Sequence, residues 1–136
     1  MIAEPMPGRG KPMRPAIVVA EDNTMLRHYF VDVFESEGYE VLPACDGLDA
    51  FELLLDRRDA SILVTDIDMP RMDGLTLAER ARERLRDIDV LYVSGRDRSD
   101  IDCRGVPGSM FVRKPCMPDT LRQALLALRG DLELVA

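Results

Sequence analysis

Short apolar runs alternate with amphipathic segments along most of the chain. The first run, Ala16 to Ala20, is continuous and rich in β-branched residues, which predicts a strand buried on both faces. Asn23, a good helix N-cap, follows it, and the next apolar residues are spaced as on one face of a helix that ends before Gly38. The chain therefore opens with a strand and an amphipathic helix.

The same alternation continues to the C-terminal part of the chain. Further strands are expected at 39–44, 61–65, 90–93 and 109–112, and further helices at 47–57, 75–86 and around 121–128. Five strands that alternate with helices predict an α/β fold with a parallel sheet, right-handed crossovers and helices on both faces. Residues 1–15 are expected to form a disordered tail, and residues 16–136 a single domain.

The connection between the fourth and fifth strands is the weakest part of the pattern. Glycine and proline near its end leave room for a helix only at about residues 100 to 104, with Ser99 as its N-cap. Its only apolar anchors are Ile101, Cys103 and Val106. We expect this short helix to open readily.

Composition narrows the classes of partner. The chain has 136 residues and a formal net charge of −7, which argues against binding to nucleic acid. No apolar run is long enough to cross a bilayer, and the N-terminus lacks the apolar core of a signal peptide. We expect a cytoplasmic protein without a membrane partner.

Polar residues with related chemistry stand where the predicted strands end. Glu21 and Asp22 follow the first strand, Asp66 the third, Ser94 ends the fourth, and Lys114 follows the fifth. In such sheets, ligands bind at the carboxyl ends of the strands. Crowded carboxylates suit a hard cation such as Mg²⁺, while a lysine and a serine suit phosphate oxygens.

The segment after the third strand carries the most specific motif. Residues 66–74 are Asp-Ile-Asp-Met-Pro-Arg-Met-Asp-Gly, and with Glu21-Asp22, Ser94-Gly95 and Lys114-Pro115 they resemble the CheY-like receiver domain of two-component response regulators. The resemblance covers Ala16 to about Leu128. It implies a three-layer, doubly wound, five-stranded parallel sheet of strand order 2-1-3-4-5, with a short or irregular fourth helix.

The resemblance also implies a role for each matching residue. Asp66 would accept a phosphoryl group, Lys114 would pair with it, and Ser94 and Phe111 would act as switch residues. The ligands of Mg²⁺ or Mn²⁺ would be Glu21, Asp22, Asp66 and the backbone carbonyl of Asp68. Met69-Pro70 and Gly74 would shape the intervening loop.

The partners that the resemblance implies are proteins. A histidine kinase or a histidine phosphotransfer protein would supply the phosphoryl group, and a downstream protein would receive the signal. The chain would be a monomer or weak dimer, and it would catalyse only its own phosphorylation and dephosphorylation. No output domain is expected after Ala136, so an output regulator, a relay intermediate and a phosphate sink stay open.

Three features depart from the common family pattern. Asp68 adds negative charge near the incoming phosphate, Gly95 leaves the site open, and residues 96–108 are poorly suited to a helix. We expect phosphorylation to change the order of residues 96–108, which would make this segment the signalling surface.

Two other functions fit part of the sequence. The Asp66-Ile67-Asp68 motif resembles that of haloacid-dehalogenase-type phosphatases, although it follows the third strand rather than the first. A receiver-like module could also act without phosphorylation, but such modules usually lack the acidic pair, the acceptor or the lysine. All of these residues are present here.

Overall fold

The computed structural model describes residues 14–130, so most of the predicted N-terminal tail lies outside the described residues. The strands are β1 (Ala16–Ala20), β2 (Glu40–Ala44), β3 (Ala60–Thr65), β4 (Asp89–Ser94) and β5 (Met110–Arg113). The helices are α1 (Thr24–Ser36), α2 (Gly47–Asp56), α3 (Gly74–Arg84), α4 (Ser99–Arg104) and α5 (Pro118–Leu128). The sequence predicted each of these elements. The bounds of β1 agree fully, and those of the other elements differ by at most a few residues.

The five strands form one sheet of order β2-β1-β3-β4-β5, and every neighbouring pair is parallel. Every residue of β1 is buried, as its continuous apolar run predicted. The predicted doubly wound α/β fold is therefore confirmed, including its strand order. This order brings the carboxyl ends of β1 and β3 side by side at the centre of the sheet.

Each face of the sheet carries its own apolar core. On one face, α1 and α5 contribute Phe30, Phe34, Leu121 and Leu125. On the other face, α2, α3 and α4 contribute, among others, Leu54, Leu77 and Ile101. Burying each large aliphatic or aromatic side chain stabilises the fold by about 1.5–3 kcal/mol, so these layers hold the strand ends rigidly in place.

The predicted short fourth helix is confirmed, but two details of its prediction are wrong. Ser99 is the first helical residue rather than the N-cap, because the Asp97 carboxylate accepts hydrogen bonds from both the Ser99 amide (3.0 Å) and its hydroxyl (2.7 Å). Cys103 is exposed, so the apolar anchors of the segment are Ile101 and Val106 without Cys103.

The first two described residues form hydrogen bonds with residues at the start of β2. Arg14 donates to the Tyr39 carbonyl (3.1 Å), and the Pro15 carbonyl accepts from the Glu40 amide (3.0 Å). Within residues 14–130, none of the helices combines the length and the apolar character that crossing a bilayer requires.

Candidate functional site

The sheet continues its hydrogen bonding just past the strand ends, and this fixes the backbone of the candidate residues. The Glu21 amide donates to Ala44 (3.1 Å), and the Asp66 amide donates to Ala20 (3.0 Å). The Lys114 amide donates to Ser94 (2.9 Å). Because the polar side chains start from paired backbone, they are held at one edge with little freedom.

Lys114 joins two of the predicted carboxylates. Its ammonium donates to Glu21 Oε1 and to Asp66 Oδ2, both at 2.9 Å. Glu21 is 1% exposed and Asp66 is 8% exposed, so these contacts lie largely out of water. A buried ammonium shared by two acids is the arrangement expected of a charged cluster that must be paired to be tolerated.

Burial and pairing act in opposite directions on the pKa values of this cluster. Burial lowers the pKa of Lys114, but its hydrogen bonds to Glu21 and Asp66 outweigh burial and raise the pKa above the ordinary lysine value. For Glu21, burial prevails over the hydrogen bonds from the Asn23 amide and Lys114, so its pKa is raised. Lys114 therefore stays positively charged, whereas burial disfavours the charged form of Glu21.

Asp22 completes an acidic group. One oxygen from each of Glu21, Asp22 and Asp66 lies within 4.8 Å of the others, and in residues 14–130 no other three acidic, histidine or cysteine side chains come together in this way. Three carboxylates exceed the charge of Lys114 by two. Oxygen donors with this excess of charge fit a hard divalent cation such as Mg²⁺.

Local hydrogen bonds orient the two buried acids. Glu21 Oε2 accepts from the Asn23 amide (3.0 Å), and Asn23 in turn caps α1 through the Leu26 amide (2.9 Å). Asp66 Oδ1 accepts from the Ile67 amide (2.7 Å). Each acid thus has one oxygen on the backbone and the other on Lys114, which leaves lone pairs available for a cation.

The loop of residues 67–73 is packed closely against the backbone of Asp66. The Gly74 amide donates to the Ile67 carbonyl (2.8 Å), and a Cβ at position 74 would lie 1.8 Å from the Asp66 carbonyl oxygen. Asp73 then caps α3 through the Thr76 amide (2.8 Å). Only glycine fits position 74, which gives a physical reason for the predicted role of this residue.

Ser94 and Asp68 are linked through a residue that the sequence did not single out. Ser94 is 1% exposed, and its hydroxyl oxygen accepts from the Arg96 amide (3.1 Å). The Arg96 guanidinium donates to both oxygens of Asp68, at 2.9 and 2.6 Å. The Asp68 side chain thus faces Arg96, and the acidic group comprises the other three predicted acids.

Phe111 and Gly95 occupy the surroundings of this edge. Phe111 is half-buried and packs against the core that contains α4, with the Arg98 guanidinium 5.9 Å from its ring centroid. A Cβ on Gly95 would meet no heavy atom within 4 Å, which is consistent with the predicted opening beside Ser94.

Fold and site together define a flavodoxin-like α/β protein with a candidate cation site at the topological switch point. Comparison with known proteins carries the assignment further. Residues 17–126 match the response regulator receiver domain. The chain belongs to this family, whose members act as signalling phosphoacceptors in two-component systems rather than as classical enzymes.

Individual relatives agree with the family match. The aerobic respiration control protein ArcA of Escherichia coli is 30% identical over 109 residues, which cover 79% of this chain and 45% of ArcA. The chain thus spans about half the length of this relative. Chemotaxis protein CheY1 of Helicobacter pylori is 29% identical over 119 residues, 84% of this chain and 96% of CheY1.

A solved structure agrees as well. A response regulator receiver protein from Sinorhizobium medicae superposes with a TM-score of 0.82 at 28% identity, covering 86% of this chain and 95% of that one.

Proposed function

We propose that this receiver domain accepts a phosphoryl group on Asp66 in a Mg²⁺-dependent reaction and passes the signal on by protein contact. One observation carries the proposal: Lys114 bridges Glu21 and Asp66 while Asp22 lies beside them. This arrangement combines a nucleophile, a fixed cation and a set of divalent-cation ligands in one group, in which Glu21 and Asp66 are buried and Asp22 is exposed. Phosphoryl transfer depends mainly on such positioning and charge stabilisation.

The nucleophile would be a carboxylate oxygen of Asp66. It would form a bond to phosphorus while the bond between phosphorus and the donor's leaving atom breaks, which yields an acyl phosphate. The Ile67 amide and Lys114 hold the two Asp66 oxygens and so orient the carboxylate. Lys114 can then move part of its pairing from the acids to the transferred group.

The residues available for a cation are Glu21, Asp22, Asp66 and the backbone carbonyl of Asp68. A bound Mg²⁺ would neutralise charge on the acids and on the phosphoryl oxygens. Ser94 would donate its hydroxyl proton to a phosphoryl oxygen. Its oxygen would go on accepting the hydrogen bond from the Arg96 amide. Phe111 would respond through the contacts that join it to Arg98.

Surface features beside the site support a protein as phosphodonor, namely a histidine kinase or a histidine phosphotransfer protein. A pocket of about 320 Å³ borders Lys114 and is otherwise lined by Leu26, Tyr29, Phe30, Pro115 and Cys116. Met25 and Met117, 81% and 69% exposed, stand next in sequence to two of these residues. An apolar surface beside the phosphoacceptor site is suited to binding a helix of a protein that donates the phosphoryl group.

The two other functions receive less support. In a phosphatase of the haloacid-dehalogenase type, the second acid of the motif would act on the substrate, whereas Asp68 is paired with Arg96. A module that works without phosphorylation has no need for the buried contacts of Lys114 with Glu21 and Asp66, whose formation carries a desolvation penalty.

The reaction can be tested with a small donor. Intact mass should rise by one phosphoryl group when the protein is treated with acetyl phosphate and Mg²⁺, and chelation of the cation should prevent the change. Asp66→Asn should take up no phosphoryl group, whereas Asp68→Asn, the matched control two residues away, should be labelled. Equal labelling of parent and Asp66→Asn would exclude Asp66 as the acceptor.

A further inference from the structure

Arg71, in the middle of the loop of residues 67–73, has an unusual backbone conformation. Its φ is +71°, in the left-handed region, and it is the one non-glycine residue with positive φ in residues 14–130. A side chain at Cβ makes this region unfavourable, so surrounding contacts must hold the residue there. The proposed phosphoacceptor function assigns no role to this residue.

The contact that holds Arg71 is an ion pair with Asp46. Nε of Arg71 donates to Oδ2 of Asp46 at 2.8 Å, and a second guanidinium nitrogen donates to Oδ1 at 3.3 Å. Asp46 is 7% exposed and also caps α2 by accepting from the Asp49 amide (2.8 Å). The hydrogen bonds from Arg71 and the Asp49 amide hold the pKa of Asp46 below its ordinary value, so the pair stays charged.

The start of α2 touches the loop at a second point. A Cβ on Gly47 would lie 2.0 Å from the Met72 carbonyl oxygen, so the two backbones are in direct contact there. Met72 follows Arg71, and Gly47 follows Asp46. The ion pair and the backbone contact therefore join the same two segments, and together they fix the middle of the loop to α2.

The ends of the loop are fixed to the acceptor. Gly74 contacts the Asp66 carbonyl, and the Ile67 amide bonds to the Asp66 side chain. Between these points lies Asp68, whose backbone carbonyl would serve as a cation ligand. This stretch contacts the start of α2 through residues 71 and 72, three to four residues further along the chain from Asp68.

We infer that Arg71 and Asp46 are positioning residues whose ion pair holds the loop of residues 67–73, and with it the carbonyl of Asp68, in the geometry that binds Mg²⁺. The inference rests on the proposed function, because it assumes a cation at Asp22 and Asp66. It adds residues of β2–α2 to a site otherwise built from β1, β3, β4 and β5.

The test is the Mg²⁺ affinity of the unphosphorylated protein, measured from amide chemical shifts during a titration with MgCl₂. Arg71→Gly removes the pair while allowing positive φ, and Asp46→Asn removes the pair while keeping a side chain that can cap α2. Each should raise the dissociation constant by about tenfold, the scale expected when support behind a metal ligand is lost. The double variant should bind no more weakly than the weaker single variant, because both remove one interaction.

A matched control separates positioning from general stability. Arg57 forms an equally bidentate pair with Glu40, at 3.0 and 2.9 Å, at the amino end of β2 and away from the acidic group. Glu40→Gln should leave Mg²⁺ affinity within about twofold of the parent, since exposed pairs act locally. Arg71→Lys keeps the positive charge but loses the two-nitrogen geometry of the guanidinium. It should bind Mg²⁺ more tightly than Arg71→Gly and less tightly than the parent.

Three outcomes would overturn the inference. If Arg71→Gly and Asp46→Asn remain folded and bind Mg²⁺ as the parent does, the pair has no positioning role. If Glu40→Gln weakens binding as much as they do, the effect is one of general stability. If the parent itself binds no Mg²⁺, the proposed function fails and the inference falls with it.

Discussion

Arg96 makes two contacts that join Ser94 to Asp68. Its backbone amide donates to the Ser94 hydroxyl oxygen at 3.1 Å. Its guanidinium donates to both oxygens of the Asp68 carboxylate, at 2.9 and 2.6 Å. The bridge spans the ends of β3 and β4, on the side of the acceptor where Gly95 leaves space. The charge of Asp68 and the position of Ser94 are therefore linked through one residue.

Neutralising Asp68 should speed phosphorylation by a small anionic donor. Asp68→Asn removes a negative charge near Asp66 and releases the Arg96 guanidinium from its carboxylate, and both changes favour an incoming anion. The initial rate with acetyl phosphate should rise about two- to tenfold at low salt, and the gain should shrink as ionic strength rises.

Arg96→Ala should have the opposite effect, because it leaves the Asp68 carboxylate without its partner. A slower rate in Arg96→Ala and a faster rate in Asp68→Asn would support the electrostatic origin. Changes of the same sign in both variants would contradict it.

Gly74 should not tolerate a side chain. Gly74→Ala would place Cβ against the Asp66 carbonyl, at 1.8 Å before any adjustment, so the backbone of the loop or of the acceptor must move. We expect the free energy of unfolding to fall by about 1–3 kcal/mol in urea denaturation. Gly95→Ala is the control because its Cβ has open space, and its stability should stay within about 0.5 kcal/mol of the parent. Equal stability of the two variants would show that the loop yields easily.

The ion pair of Asp46 should appear in the pH dependence of stability. The pKa of Asp46 is lowered from 3.8 in the folded state, chiefly by its hydrogen bonds with Arg71. A lowered pKa adds stability that is present above the unfolded value and is lost as pH falls through the folded value.

Asp46→Asn should therefore be less stable than the parent by about 0.5–1 kcal/mol at neutral pH, a modest value because Arg71 is half exposed. The difference should stay constant down to about pH 4 and shrink below it. Urea denaturation between neutral and acid pH measures this. A difference that persists undiminished into strong acid would show that the ion pair is not its cause.

The segment of residues 96–108 should report phosphorylation. Besides Ile101 and Val106, several polar contacts hold it. The Val106 amide donates to the buried Tyr92 hydroxyl (3.2 Å), Arg98 lies over Phe111, and Arg104 donates to Glu79 (3.2 Å). Adding beryllofluoride with Mg²⁺, as a mimic of the phosphoryl group, should change hydrogen exchange in this segment. Changes confined to the surroundings of Asp66 would place the signalling surface elsewhere.

Tyr92→Phe provides a matched test of how this segment is held. It removes the acceptor for the Val106 amide while keeping the ring, and loss of such a bond weakens the segment by about 1 kcal/mol. Exchange of residues 99–106 should then be faster by roughly fivefold without any mimic. Unchanged exchange would mean that the hydrogen bond from the Val106 amide to Tyr92 does not hold α4 in place.

The sequence predicted the parts of this molecule that depend on local pattern. The apolar run of β1, the cap at Asn23 and the acids after β1 and β3 could be located because period and strand ends are visible in the chain. The convergence of Lys114 with Asp66 followed from the parallel topology, since all strand ends meet at one edge.

What could not be predicted depends on contacts between distant segments. Arg96 lies 28 positions from Asp68, and Arg71 lies 25 positions from Asp46, and neither pair has a characteristic sequence spacing. Ser99 was a reasonable N-cap by residue type, but its amide and its hydroxyl both donate to Asp97, and Ser99 lies inside the helix. Such contacts depend on where the side chains lie in the folded structure, which the periodicity of the sequence does not indicate.

Localising the phosphoryl group tests the central claim most directly. After treatment with acetyl phosphate and Mg²⁺, borohydride reduction converts an acyl phosphate into an alcohol, and peptide mass spectrometry can assign the altered residue. We predict that Asp66 is converted to homoserine in the parent, and that omission of Mg²⁺ abolishes the conversion. Modification of Glu21, Asp22 or Asp68 in place of Asp66, or no modification at all, would contradict the assignment of Asp66 as the phosphoacceptor.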